Sequence, residues 1–61
     1  MPEIMVFAAA GRTAEQKRGL MRDLTEAMVR NFSVRPEAVT VQIIESPLTD
    51  KSKGGVPFSE R

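Results

Sequence analysis

Two apolar runs and one long periodic segment set out the chain. Residues 3–9 (Glu3-Ile4-Met5-Val6-Phe7-Ala8-Ala9) are apolar at almost every position. With a period of two, Ile4, Val6 and Ala8 share one side and Met5, Phe7 and Ala9 the other. Both sides are apolar, which predicts a strand covered on two faces, as in a parallel sheet. Residues 39–45 (Val39-Thr40-Val41-Gln42-Ile43-Ile44-Glu45) read as a second strand, with Val39, Val41 and Ile43 on one side and Thr40 and Gln42 on the other. Between them the period changes. From Ala14 to Phe32, at 100° per residue, Ala14, Leu20, Met21, Leu24, Ala27, Met28 and Phe32 fall in one stripe roughly 140° wide. Arg18, Arg22, Asp23, Glu26 and Arg30 take the opposite side, with Glu26 and Arg30 spaced as an i,i+4 ion pair.

The punctuation agrees with these limits. Gly11 permits a turn with positive φ after the first strand. Thr13 and Gln16 have the spacing of a capping box, and Glu15 suits the positive end of the helix dipole. Gly19 lies on the polar side of the helix and costs about 1 kcal/mol relative to Ala. Ser33-Val34-Arg35-Pro36-Glu37 ends the helix, because Pro36 disfavours helical geometry at Arg35. Strand, helix, strand predicts a βαβ unit with parallel strands and a right-handed crossover. After it, Gly54-Gly55 marks a tight turn, with Val56 and Phe58 spaced like a short strand. The expected architecture is α/β: a single domain over 1–61, with 45–61 as a C-terminal hairpin arm lying on a neighbouring subunit.

Composition sharpens this picture. Sixty-one residues bury only about 60% of their unfolded surface, and such chains use disulfides, metals or oligomerisation. There is no Cys and no His, which removes disulfides, thiolate sites and the common zinc sites. Two strands and one helix are not independently stable, so the sheet is expected to be completed by oligomerisation. A net charge of +1 gives no general pull toward nucleic acid or a membrane surface. No apolar run approaches a membrane span, and the N-terminus lacks the basic start and apolar core of a signal peptide. A cytoplasmic location is expected.

Without His or Cys, a neutral base at pH 7 must come from elsewhere. Initiator methionine is normally trimmed before a small residue, and Pro2 is small enough. Trimming leaves Pro2 as a free secondary amine. An α-amino group has an unperturbed pKa of about 7.7–8.0; partial burial and nearby cations push it down, toward the operating pH that suits a general base.

Pro2, Gly11-Arg12 after the first strand, Thr13-Ala14-Glu15-Gln16-Lys17 opening the helix, Ile43-Ile44-Glu45 ending the second strand and Gly54-Gly55 together resemble the 4-oxalocrotonate tautomerases over nearly the whole chain. The resemblance implies a βαβ protomer in a hexamer built as a trimer of dimers. It implies catalysis by the amine of Pro2, which moves a proton between oxygen and carbon of an enol or dienol acid. It implies that Arg12 binds a substrate carboxylate, as bidentate guanidinium geometry allows, and that no metal or organic cofactor is needed.

Two departures qualify the resemblance. The family usually carries a second arginine one residue into the second strand, where this chain has Thr40. It also carries an aromatic wall shortly before the final Gly-Gly, where this chain has Lys51. Lys51 is therefore a candidate for the cation missing at Thr40, with Arg35 and Lys53 as weaker ones; Phe58 is a candidate for the wall. Two other functions keep the fold. A hydratase would use cationic Pro2 as an acid, with Glu3, Glu45 or Asp50 activating water. A non-catalytic subunit of a mixed hexamer would need no complete site.

Overall fold

A computed structural model of the chain describes residues 2–60. Its order is strand β1 (Glu3–Ala9), helix α1 (Ala14–Phe32), strand β2 (Thr40–Ser46) and a small hairpin of β3 (Ser52–Lys53) and β4 (Val56–Pro57). Single helical turns at Pro36–Ala38 and Leu48–Asp50 join these elements, and a third, Phe58–Glu60, follows β4. β1 and β2 are parallel, and α1 makes the crossover, so the expected βαβ unit and C-terminal hairpin are both present.

Local chemistry fixes the helix ends. The Thr13 side chain accepts from the Gln16 backbone N–H at 3.1 Å, and the Gln16 side chain accepts from the Thr13 N–H at 3.0 Å, closing the capping box. At the other end Ser33 adopts a left-handed conformation, φ 55°, and its N–H donates to the Val29 carbonyl. Gly54 and Gly55, at φ 63° and 85°, make the two-residue turn between β3 and β4, where positive φ at both positions suits the strand twist.

The register pairs Ile4 with Val41, Val6 with Ile43 and Ala8 with Glu45. These alternate positions turn toward α1 and are half-buried. The opposite face carries Met5 and Phe7, which stay 53% and 71% exposed. Among the described residues none is fully buried.

Four expectations need adjustment. β2 begins at Thr40 rather than Val39, because the Val39 N–H is spent on the Pro36 carbonyl at 3.1 Å. Ala14, Leu20 and Phe32 of the helix stripe are exposed, Leu20 at 40% and Phe32 at 62%. A 19-residue helix is about 28 Å long, so it overhangs strands of about 20 Å. Of that stripe Met21, Leu24, Ala27 and Met28, near its middle, are half-buried, as are the neighbouring Thr25 and Val29. The structure's ion pairs among described residues are Lys17–Glu45 and Arg35–Glu37; Glu26 and Arg30 stay apart, as two exposed groups gain little from pairing. Phe58 lies in a helical turn rather than a strand, although its N–H donates to the Lys51 carbonyl at 2.8 Å.

Candidate active site

Pro2 stands one residue before β1. Its carbonyl accepts the Thr40 backbone N–H at 3.0 Å, so the parallel ladder extends one step past the strand and anchors the residue that carries the candidate amine. Pro2 is half-buried. Met1, on whose removal that amine depends, lies outside the described residues, as does Arg61.

Thr40 shares this end. It pairs with Glu3 and is exposed. Its hydroxyl is neutral, so this chain brings no cation to the position beside Pro2 where the resemblance expects one. Glu3 is the nearest acidic residue along the chain.

Arg12 belongs to the other end. It follows Gly11, whose φ of 128° turns the chain from β1 toward the helix. Glu3 and Ala9 are separated by about 20 Å of extended chain, so one protomer does not bring Pro2 and Arg12 together. Nor does it bring Lys51 to Thr40. Lys51 follows Ser46 by five residues, three of them in a helical turn. At about 2 Å per residue in such a turn and about 3.5 Å elsewhere, that segment is too short to return along β2. Of the four expected site residues, Pro2 and Thr40 therefore lie at one end of the two-stranded sheet, and Arg12 and Lys51 lie beyond the other, where Lys51 does not line the cavity at Arg12.

At the Arg12 end there is a cavity of about 320 Å³ between the start of α1 and the helix-facing side of the sheet. Val6, Ala8, Leu20 and Ile43 give it apolar walls; Arg12, Gln16, Lys17 and Glu45 give it polar ones. Lys17 Nζ donates to Glu45 Oε1 at 2.7 Å. Among described residues Arg12 has no ion-pair partner. The expectations did not place Lys17 in the site. The signal was present: Glu45 has the same strand parity as Val41 and Ile43, which turns it toward the helix, and Lys17 lies in the first turn above it.

The family model for tautomerase enzymes matches residues 2–61. The chain belongs to the 4-oxalocrotonate tautomerase family. A probable tautomerase of Bradyrhizobium diazoefficiens is 57% identical over 61 residues, all of this chain and 91% of that protein. The 2-hydroxymuconate tautomerase of Pseudomonas sp. strain CF600 is 38% identical over 60 residues, 98% of this chain and 95% of that one. Among solved structures, a 4-oxalocrotonate tautomerase homologue superposes with a TM-score of 0.93 at 36% identity, covering 100% of this chain and 97% of its own. A heterohexamer 4-oxalocrotonate tautomerase from Chloroflexus aurantiacus gives 0.88 at 33% identity, covering 98% and 97%. The two solved structures share the present chain's fold over nearly its whole length.

Proposed function

We propose that this chain is a cofactor-independent isomerase that uses the amine of Pro2, after removal of Met1, to ketonise a small enol or 2-hydroxydienoate carboxylic acid. The observation that carries this reading is the anchoring of Pro2 to β2 through the Thr40 N–H at 3.0 Å. That bond engages the Pro2 carbonyl, so the ladder makes no use of the Pro2 nitrogen. The neutral amine takes the enol hydroxyl proton. The O–H electrons become the carbonyl π bond, the C=C electrons move to carbon, and the prolinium proton is delivered there. A secondary amine near neutral pKa is suited to both transfers.

Arg12 supplies the carboxylate-binding cation. Because Pro2 and Arg12 occupy opposite ends of β1, the complete site takes Pro2 from one copy and Arg12 from another. The exposed Met5 and Phe7 face supports association, and a hexamer built as a trimer of dimers fits the size and family. Lys51 contributes a second cation from a neighbouring copy, in place of the one absent at Thr40.

One observation favours a second reading. Thr40 leaves the Pro2 end without its own cation, and a structural relative is a heterohexamer. On that reading this chain is one subunit of a mixed hexamer and borrows its missing cation from a different chain.

The deciding experiment couples intact mass with turnover. A protein lacking Met1 is assayed for ketonisation of 2-hydroxymuconate and phenylenolpyruvate, beside Pro2→Ala. Turnover lost in that variant supports the proposal. Turnover that survives it, or a native protein that retains Met1, overturns the amine mechanism. An inert homo-oligomer that gains activity with a second subunit establishes the mixed assembly.

A further inference from the structure

Lys17 and Glu45 are 31% and 27% exposed at their side chains, and a partly exposed pair of this kind contributes little to stability. Its place is more informative than its strength. Glu45 faces the same 320 Å³ cavity as Arg12. A carboxylate matches a guanidinium better than an ammonium, because both oxygens can accept in parallel from the planar fork. Glu45 is nonetheless paired with Lys17, and Arg12 has no carboxylate partner among described residues.

The backbone imposes this choice. The capping box starts α1 at Ala14, and the Lys17 N–H donates to the Thr13 carbonyl at 3.1 Å, fixing the first turn. That turn holds Lys17 over the end of β2, where strand parity turns Glu45 toward the helix. Gln16, the other polar group on the same wall, is engaged through its side-chain oxygen at Thr13.

Resting on the reading of Arg12 as the substrate-carboxylate cation, we propose that Lys17 is a positioning residue: it occupies Glu45 and so keeps the Arg12 guanidinium open to substrate. Without Lys17, Glu45 becomes an internal mimic of the substrate carboxylate and competes for Arg12. The competition acts on binding, so it raises KM and leaves kcat nearly unchanged. Glu45 matters here only as the competitor that must be neutralised.

The test is a mutant cycle on the Met1-free protein, with 2-hydroxymuconate as substrate and circular dichroism and native mass as checks on folding. Lys17→Met is expected to raise KM about two- to fivefold, the scale of a partly screened ion pair. Lys17→Met combined with Glu45→Gln is expected to return KM to near the wild-type value, because the competitor has lost its charge. Lys17→Arg, which keeps the pair, also retains a low KM. If the double variant keeps the raised KM, Lys17 contacts substrate itself and the proposal is wrong. If Lys17→Met lowers stability with KM unchanged, the pair is structural and the proposal is equally wrong. Should Lys17→Met fail to fold, Lys17→Gln, which removes the charge but keeps a polar side chain beside Glu45, is compared with the double variant in its place. Arg12→Ala separates this inference from its foundation. An unchanged KM in that variant refutes the role of Arg12, whereas a raised KM in Arg12→Ala with none in Lys17→Met refutes only the role of Lys17.

Discussion

The Thr40 backbone N–H donates to the Pro2 carbonyl at 3.0 Å, so the residue that carries the candidate base is tied to the position that lacks the expected cation. The bond is between main chains, so neither side chain is needed for it. That allows the chemistry of both positions to be changed without undoing the anchor.

Pro2→Ala keeps the carbonyl that Thr40 holds but replaces the secondary amine with a primary one. The expected result is a kcat lowered by about a hundredfold or more, the scale of general acid–base catalysis, with KM little changed and native mass unchanged. Steady-state kinetics on Met1-free protein checks it; a kcat within a few-fold of wild type would place the base elsewhere.

The pH profile separates isomerase from hydratase. An isomerase needs the neutral amine, so kcat/KM rises with pH through the amine's pKa and then levels. A hydratase that uses cationic Pro2 loses activity over the same interval. Within one protomer Glu3 is the acidic residue next to Pro2, whereas Glu45 and Asp50 lie at or beyond the other end of β2. The hydratase reading therefore also requires that Glu3→Gln abolish water addition.

Thr40→Arg is expected to lower KM for a diacid about tenfold, since a charge-assisted pair with a carboxylate is stronger than a hydroxyl contact. The exposed position accommodates the longer side chain. Lys51→Ala tests the proposed source of the second cation. It is expected to raise KM for the diacid more than for a monoacid, and Thr40→Arg should offset that loss. Equal KM values for Lys51→Ala and wild type would remove Lys51 from the site.

The sequence was most legible where a local rule decides the outcome. Thr13 and Gln16 located the helix start, and Ser33 with Pro36 located its end, because capping and proline geometry act over a few residues. Strand parity gave the two faces of the sheet. The one-residue slip at Val39 arose from a turn hydrogen bond to Pro36 that no apolar pattern records. Periodicity gives the direction of a side chain, not the presence of something above it, so the exposure of Leu20 and Phe32 is not legible in the pattern. The Lys17–Glu45 pair joins residues 28 positions apart; it follows only when strand parity and helix phase are combined. The separation of Pro2 from Arg12 follows from the extended length of β1, which keeps apart two residues that lie close in sequence.

Gly19→Ala is expected to stabilise the protein by about 1 kcal/mol, the helix-propensity difference. A Cβ built at Gly19 meets only the Arg22 guanidinium, at 3.9 Å, an ordinary contact with a flexible group. Denaturant midpoints at matched protomer concentration check it. A destabilised variant would mean that this helix face is tightly covered in the assembly.

Phe7 tests the assembly itself. It pairs with Ile44 in the register and shares the outer face of β1 with Met5. In an isolated protomer its 71% exposure would make Phe7→Lys nearly silent, within about 0.5 kcal/mol, as for most surface substitutions. If the face is instead covered by another copy, the same change buries an ammonium without a partner, which is strongly unfavourable. The expected outcome is a fall in native mass, a midpoint that drops and becomes more dependent on concentration, and loss of turnover, because the proposed site draws Arg12 from a second copy. Mixing Phe7→Lys protein with fresh wild type should not restore activity to the variant chains. An unchanged native mass with full activity would show that this face is not the one through which the copies meet.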